Sequence, residues 1–144
     1  MEDLMNDLKV ELTQVVKAPR DRVFDAWLDP KMLTRFMAPA PNMSVPRAET
    51  DPREGGRFLV VMRAGDTDMP HEGTYTVIDR PNRLAFTWES PHSTVEGSTV
   101  TLDFTEVPGG TEIHLVHVLF RDEGSRNGHE GGWRSILAEL AKAM

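Results

Sequence analysis

The feature that most constrains this chain is a change of hydrophobic period near its end. Trp133, Ile136, Leu137, Leu140, Ala141 and Met144 recur at the three- and four-residue spacings of one helix face, while Arg134, Glu139 and Lys142 fall off that stripe. Such a pattern predicts an amphipathic helix with one wide apolar face. The preceding chain has a period of two instead. Met43 to Glu49, Gly56 to Arg63, Thr74 to Asp79, Arg83 to Glu89, Ser98 to Glu106 and Thr111 to Phe120 alternate or are rich in β-branched residues. Gly65-Asp66, Pro81-Asn82 and Pro108-Gly109-Gly110 supply turn chemistry between them. Strands joined by such short turns form an antiparallel meander. A helix with one apolar face must bury it on such a sheet, which makes the fold class α+β.

The N-terminal part adds one more strand and two short helices. Leu8 to Val16 reads as a strand, and Ala18-Pro19 ends it. Arg20 to Leu28 carries Val23, Ala26 and Trp27 at helical spacing, and Asp29-Pro30 is an N-cap and first-turn pair for a second helix over Lys31 to Met37. The expected order is strand, two short helices, about six strands and one long helix, using residues 1–144 as a single domain. His129 is expected ahead of the last helix, with Gly131-Gly132 at its start.

Charge and composition remove several function classes. A formal net charge of −7 gives no basic footprint for nucleic acid. Cysteine is absent, which excludes disulfides, thiolate metal sites and cysteine nucleophiles. The opening Met1-Glu2-Asp3-Leu4-Met5-Asn6-Asp7 is acidic, unlike an export signal. The longest apolar run, Phe58 to Met62, falls far short of the ~20 residues that span a bilayer. A soluble cytoplasmic domain, without membrane insertion, is the expectation.

Several segments together resemble a known family. They are Trp27, Asp29-Pro30, Leu33 and Phe36-Met37-Ala38-Pro39; Asp51-Pro52-Arg53-Glu54-Gly55-Gly56; Gly73-Thr74-Tyr75; Pro81-Asn82-Arg83-Leu84 with Phe86-Thr87-Trp88; Gly110-Thr111 through His117; and His129-Glu130-Gly131-Gly132-Trp133. In that order they resemble the activator of heat-shock-protein-90 ATPase homologue-like proteins, members of the START-related (SRPBCC, Bet v 1-like) helix-grip superfamily. One departure is Phe36-Met37, where the family places an aromatic pair built on tryptophan. The resemblance implies a curved antiparallel sheet of about six to seven strands wrapped around the long C-terminal helix, with a cavity between them. Relatives bind lipids, sterols, polyketides or other apolar molecules there. The co-chaperones that give the family its name use a further N-terminal domain, for which this chain has no room, so a chaperone partner carries little weight.

Alternation points Phe58, Val60, Met62, Tyr75, Val77, Leu84, Phe86, Trp88, Val100, Leu102, Phe104, Ile113, Leu115 and His117 inward. Within this set and the helices, the expected ligand-binding residues are Trp27, Phe36, Met37, Met62, Tyr75, Trp88, His117, His129 and Trp133. The polar handles are the Tyr75 hydroxyl, the indole N–H of Trp88 and Trp133, and the His117 imidazole, which continues the run Ile113, Leu115, His117, Leu119. The ordinary alternative for His117 is a buried ring satisfied by a backbone or hydroxyl partner. His114 and His117, three apart in a strand, point to opposite faces and cannot chelate one ion. His71 and His92 read as solvated residues in or beside turns. Ser90, Ser93 and Ser98 lack a nucleophile elbow, and Gly55-Gly56 lacks the rest of a phosphate loop.

The first expectation is therefore binding of a small apolar or aromatic molecule between the last helix and the sheet, with no catalytic residue, metal or cofactor. A polyketide cyclase- or dehydratase-like enzyme, and a co-chaperone-like interaction module, are the alternatives. A sheet-edge homodimer would fit the topology.

Overall fold

A computed structural model describes residues 8–90 and 94–144, so Met1 to Asp7, His92 and Ser93 lie outside the described residues. The elements run β1 (Lys9–Val16), α1 (Arg20–Ala26), α2 (Pro30–Phe36), β2 (Met43–Thr50), β3 (Arg57–Ala64), β4 (Thr67–Asp79), β5 (Arg83–Thr87), β6 (Thr94–Val107), β7 (Gly110–Phe120) and α3 (Glu123–Ala143). The strands form one seven-stranded antiparallel sheet in the order β1-β7-β6-β5-β4-β3-β2. β1 and β2 thus lie at opposite edges, and α1 and α2 carry the chain between them. The sheet curls around α3, which lies against β1, β7 and α2. This is the helix-grip α+β architecture.

Local chemistry places each helix. Asp29 accepts the Lys31 amide at 2.9 Å and Pro30 opens α2, so the expected cap is present. Asp122 does the same for α3, accepting the Ser125 amide at 2.7 Å. That cap starts α3 ten residues before Trp133, which corrects the expectation of a helix starting at Gly131-Gly132. His129, expected ahead of the helix, lies inside it. Low glycine propensity is outweighed here by the cap, by an Arg126–Glu130 pair at 2.8 Å one turn apart, and by Arg126 donating to the Lys9 carbonyl at 2.9 Å.

Alternation holds through most of the sheet. Val10, Leu12, Phe58, Val60, Met62, Tyr75, Leu84, Phe86, Val100, Leu102, Phe104, Ile113, Leu115 and His117 are buried. Val77 is only partly covered, where the β4–β5 register shifts between Tyr75 and Val77. β7 runs on to Phe120 as expected, but the inward run Ile113, Leu115, His117 does not extend to Leu119. Leu119 adopts a left-handed backbone with φ 69°, uncommon outside glycine, and this turns Phe120 into the core instead. Gly73 has a steric reason to be glycine, because a Cβ there would lie 1.9 Å from the Thr87 carbonyl oxygen. Among the described residues no helix is long and apolar enough to cross a membrane.

Candidate functional site

β4 begins earlier than alternation from Thr74 suggests, and this changes the site. Thr67 to Gly73 pair with Phe58 to Ala64 of β3, which puts Met69 and His71 on the strand. His71 is therefore on a strand and partly buried, not in a turn and freely solvated. Burial pushes its imidazole down to about 4, from an ordinary 6.5. The signal was present in the sequence, since Met69, His71, Gly73 and Tyr75 alternate in phase, but Asp66, Asp68 and Pro70 read as turn chemistry.

The first half of α3 faces this part of the sheet across an open cleft of about 420 Å³. Met43 of β2, Met62 of β3 and Met69 and His71 of β4 form one wall, with Trp88 after β5 and Pro39 after α2. Gly124, Ser125, Gly128, His129, Gly132, Trp133 and Ile136 of α3 form the other. Gly124, Gly128 and Gly132 recur every four residues and so share one helix face. A Cβ at Gly128 would meet nothing within 4 Å. The missing side chain at Gly128 leaves the helix open there, whereas a Cβ at Gly132 would lie 3.3 Å from Pro39 Cβ, a close approach of the helix to the segment after α2. A larger polar hollow of about 600 Å³ is walled by Glu72, Glu89 and Glu96. It borders residues outside the description, so the apolar cleft is the better-defined site.

The nine residues singled out from the sequence do not share one space. Met62, Trp88, His129 and Trp133 line the cleft. Trp27, Met37, Tyr75 and Trp88 surround instead an inner void of only about 10 Å³, with Phe58 and Phe86. This inner region is filled by ring contacts. Trp27 meets Phe36 edge-on at 5.1 Å, and Phe58 lies 5.3 Å from both Tyr75 and Phe86. Phe36 is fully buried beneath α2. Burial raises the Tyr75 phenol above its ordinary range, so it stays protonated at neutral pH. The Nε1 atoms of Trp27 and Trp88 are buried without a hydrogen-bond partner among the described residues.

His117 sits behind Trp133 rather than on the cleft. Trp133 Nε1–H donates to His117 Nδ1 at 2.9 Å, so Nδ1 is the unprotonated nitrogen. His117 Nε2–H must then donate to Ser98 Oγ at 2.7 Å, and Ser98 passes its own hydrogen to the Val118 carbonyl at 3.2 Å. The chain uses both ring nitrogens and needs a neutral ring. Burial, with the positive charge His129 carries when protonated, drives the His117 pKa down to about 2. The ring meets the hydroxyl-satisfied alternative set out above, and Trp133 spends its N–H on it. His114 lies on the opposite face, 2.6 Å from Glu11, whose carboxyl it holds below the ordinary range. Among the described residues no group of three or more His, Asp or Glu could hold a metal ion.

Comparison with known proteins supports the same architecture. A family profile described as "Activator of Hsp90 ATPase homolog 1-like protein" matches residues 17–144, most of the chain. The chain belongs to this family. Solved structures of similar fold include a protein of Nitrosomonas europaea at 21% identity, covering 98% of this chain and 95% of its own, with a TM-score of 0.78. A Chromobacterium violaceum protein is 21% identical over 95% of this chain and 96% of its own, also at 0.78. An AHSA1-like protein of Aeromonas hydrophila is 24% identical over 94% and 93%, at 0.75. At these identities the likeness establishes the fold alone. No curated protein matches the chain significantly.

Proposed function

We propose that this Hsp90-activator-homologue-like domain binds a small, largely apolar molecule in the cleft between the first half of α3 and strands β2–β4, without chemistry of its own. The observation that carries this reading is the cleft itself. At about 420 Å³ it falls within the ~300–1,000 Å³ range of small-molecule sites. Met62, Trp88 and Trp133 give it apolar walls, and the absent side chain at Gly128 leaves α3 open toward it. Binding in a cytoplasmic setting is part of the same proposal.

An enzymatic role would need a poised acid or base at the cleft. His117 is committed to Trp133 and Ser98, the Tyr75 phenol is held protonated beside the filled inner void, and burial lowers the pKa of the two histidines on the cleft, His71 and His129, which makes them weak bases. The binding reading is therefore preferred to a cyclase or dehydratase. The family description favours one second reading, stimulation of an Hsp90-type ATPase. It is tested by adding this domain to the chaperone and measuring ATP turnover.

Native mass spectrometry of freshly purified protein tests the main reading. A non-covalent adduct is expected, and Gly128→Leu, which projects a side chain into the cleft, should remove it while the near-UV circular dichroism keeps its folded signature. An adduct-free protein that also fails to bind naphthalene probes saturably would overturn it.

A further inference from the structure

The cleft carries polar information in addition to its apolar walls, and it comes from two histidines on facing elements. His71 on β4 places Nδ1 3.1 Å from the Met69 carbonyl oxygen, and His129 on α3 places Nδ1 2.8 Å from the Ser125 carbonyl oxygen. A carbonyl can only accept, so in each neutral ring Nδ1 carries the proton and Nε2 carries the lone pair. Neither Nε2 has a partner among the described residues, and both rings line the cleft. Burial lowers the pKa of both rings, which keeps them neutral acceptors at physiological pH.

The rest of the lining narrows what can meet them. Among the described residues no Lys, Arg, Asp or Glu lines the cleft, so these residues offer no counter-ion to a charged ligand. A carboxylate would bring only lone pairs to two lone-pair acceptors. A hydroxyl brings the hydrogen they lack. The apolar walls are aromatic where the polar groups converge: His71 lies 5.1 Å from Trp88, and Trp88 lies 5.0 Å from Trp133. We propose that the cleft selects an uncharged hydroxylated aromatic molecule, whose hydroxyl donates to Nε2 of His71 or His129 while its ring lies against Trp88 and Trp133. This inference rests on the small-molecule reading above and specifies its ligand class.

Three naphthalene probes separate the two. Calorimetric titration of the wild-type protein with 2-naphthol, 2-methoxynaphthalene and 2-naphthoate compares a hydroxyl, an ether and an anion on one ring system. The expected result is that 2-naphthol binds about fivefold or more tighter than the methyl ether, the worth of one net hydrogen bond, with the carboxylate weakest. The ether is the more apolar molecule, so a purely hydrophobic site would give the reverse order. The His71→Leu/His129→Leu double variant, checked for folding by near-UV circular dichroism, should bind the phenol and ether alike. Equal affinities in the wild type, tighter binding of the carboxylate, or a preference surviving in the folded double variant would overturn the hydroxyl inference and leave the binding reading standing. Failure of all three probes to bind would overturn the binding reading too. The wild-type comparison needs no variant, so an unfolded double variant leaves the inference open to refutation.

Discussion

In α3, the segments Glu123–Gly132 and Trp133–Ala143 are held to the protein by different means. The rear segment buries Trp133, Ile136, Leu137 and Leu140 in the core, and its apolar stripe is what fixes it to the sheet. The front segment has Gly124, Gly128, Gly131 and Gly132, each costing a helix interior up to ~1 kcal/mol against alanine. It buries no large apolar side chain, and polar ties hold it: the Asp122 cap, Arg126 to the Lys9 carbonyl and to Glu130, and His129 to the Ser125 carbonyl. The contrast teaches that a helix can be anchored at one end and hollowed at the other. Propensity is given up where space is made, and recovered where packing is dense.

The sharpest way to break this contrast is to remove an anchor. Leu140 is fully buried, so Leu140→Ala should cost about 2–5 kcal/mol in urea unfolding. A loss below about 1 kcal/mol would mean that the rear segment is not what holds α3. The junction between segments should be nearly as sensitive. Ser98→Ala leaves His117 Nε2–H without its acceptor behind Trp133, at an expected cost of about 1–3 kcal/mol. Stability unchanged within error would show that the Trp133–His117–Ser98 chain contributes nothing to seating the helix.

Acid sharpens the comparison without mutation. The unfolded chain's histidines protonate near 6.5, whereas in the folded protein His71 waits until about 4 and His117 until about 2. Below 6.5 the unfolded state therefore binds more protons, so stability falls as the pH drops. His71 stops contributing to the fall near 4, and His117 continues to contribute toward 2. Each ring adds up to about 1.4 kcal/mol per pH unit. The carboxyls of Glu11, Asp25, Asp68 and Glu89 are also lowered by their partners, but their share is lost only below about 4.5. Urea midpoints between pH 6 and 5 thus isolate the histidines. The slope there should shrink in His71→Leu, and a flat wild-type profile would count against burial of both rings.

The fold was legible because its signals were redundant. The Asp29-Pro30 cap, the alternation from Phe58 to Met62 and the stripe from Trp133 to Leu140 each specify an element locally, and the family motifs agree with them. The candidate site was only half legible. Met62, Trp88, His129 and Trp133 were found, because inward phase and aromatic character mark them. His71 was missed because three turn-forming residues around it masked a strand phase. The division between a filled inner region and an open outer cleft could not be read at all. It depends on how far Trp27, Phe36 and Phe58 fill the interior, which is a matter of volume and not of pattern. The early start of α3 was hidden for a related reason, since glycines that empty a helix face also erase the periodicity that announces a helix.

Two glycines of the front segment provide the smallest and most discriminating test. Neither Gly128 nor Gly131 would place a Cβ within 4 Å of any neighbour, so alanine fits sterically at both. Both lie inside α3, and each substitution should stabilise the protein by about 0.5–1 kcal/mol through helix propensity and reduced freedom of the unfolded chain. They differ in one respect: Gly128 lines the cleft and Gly131 does not. Gly131→Ala should therefore raise the thermal midpoint and leave probe affinity unchanged, whereas Gly128→Ala should raise the midpoint and weaken binding of a naphthalene probe. If both variants bind alike, the glycine face is not shaping the cleft. If neither gains stability, the front segment is not behaving as an ordinary helix that has given up propensity for space.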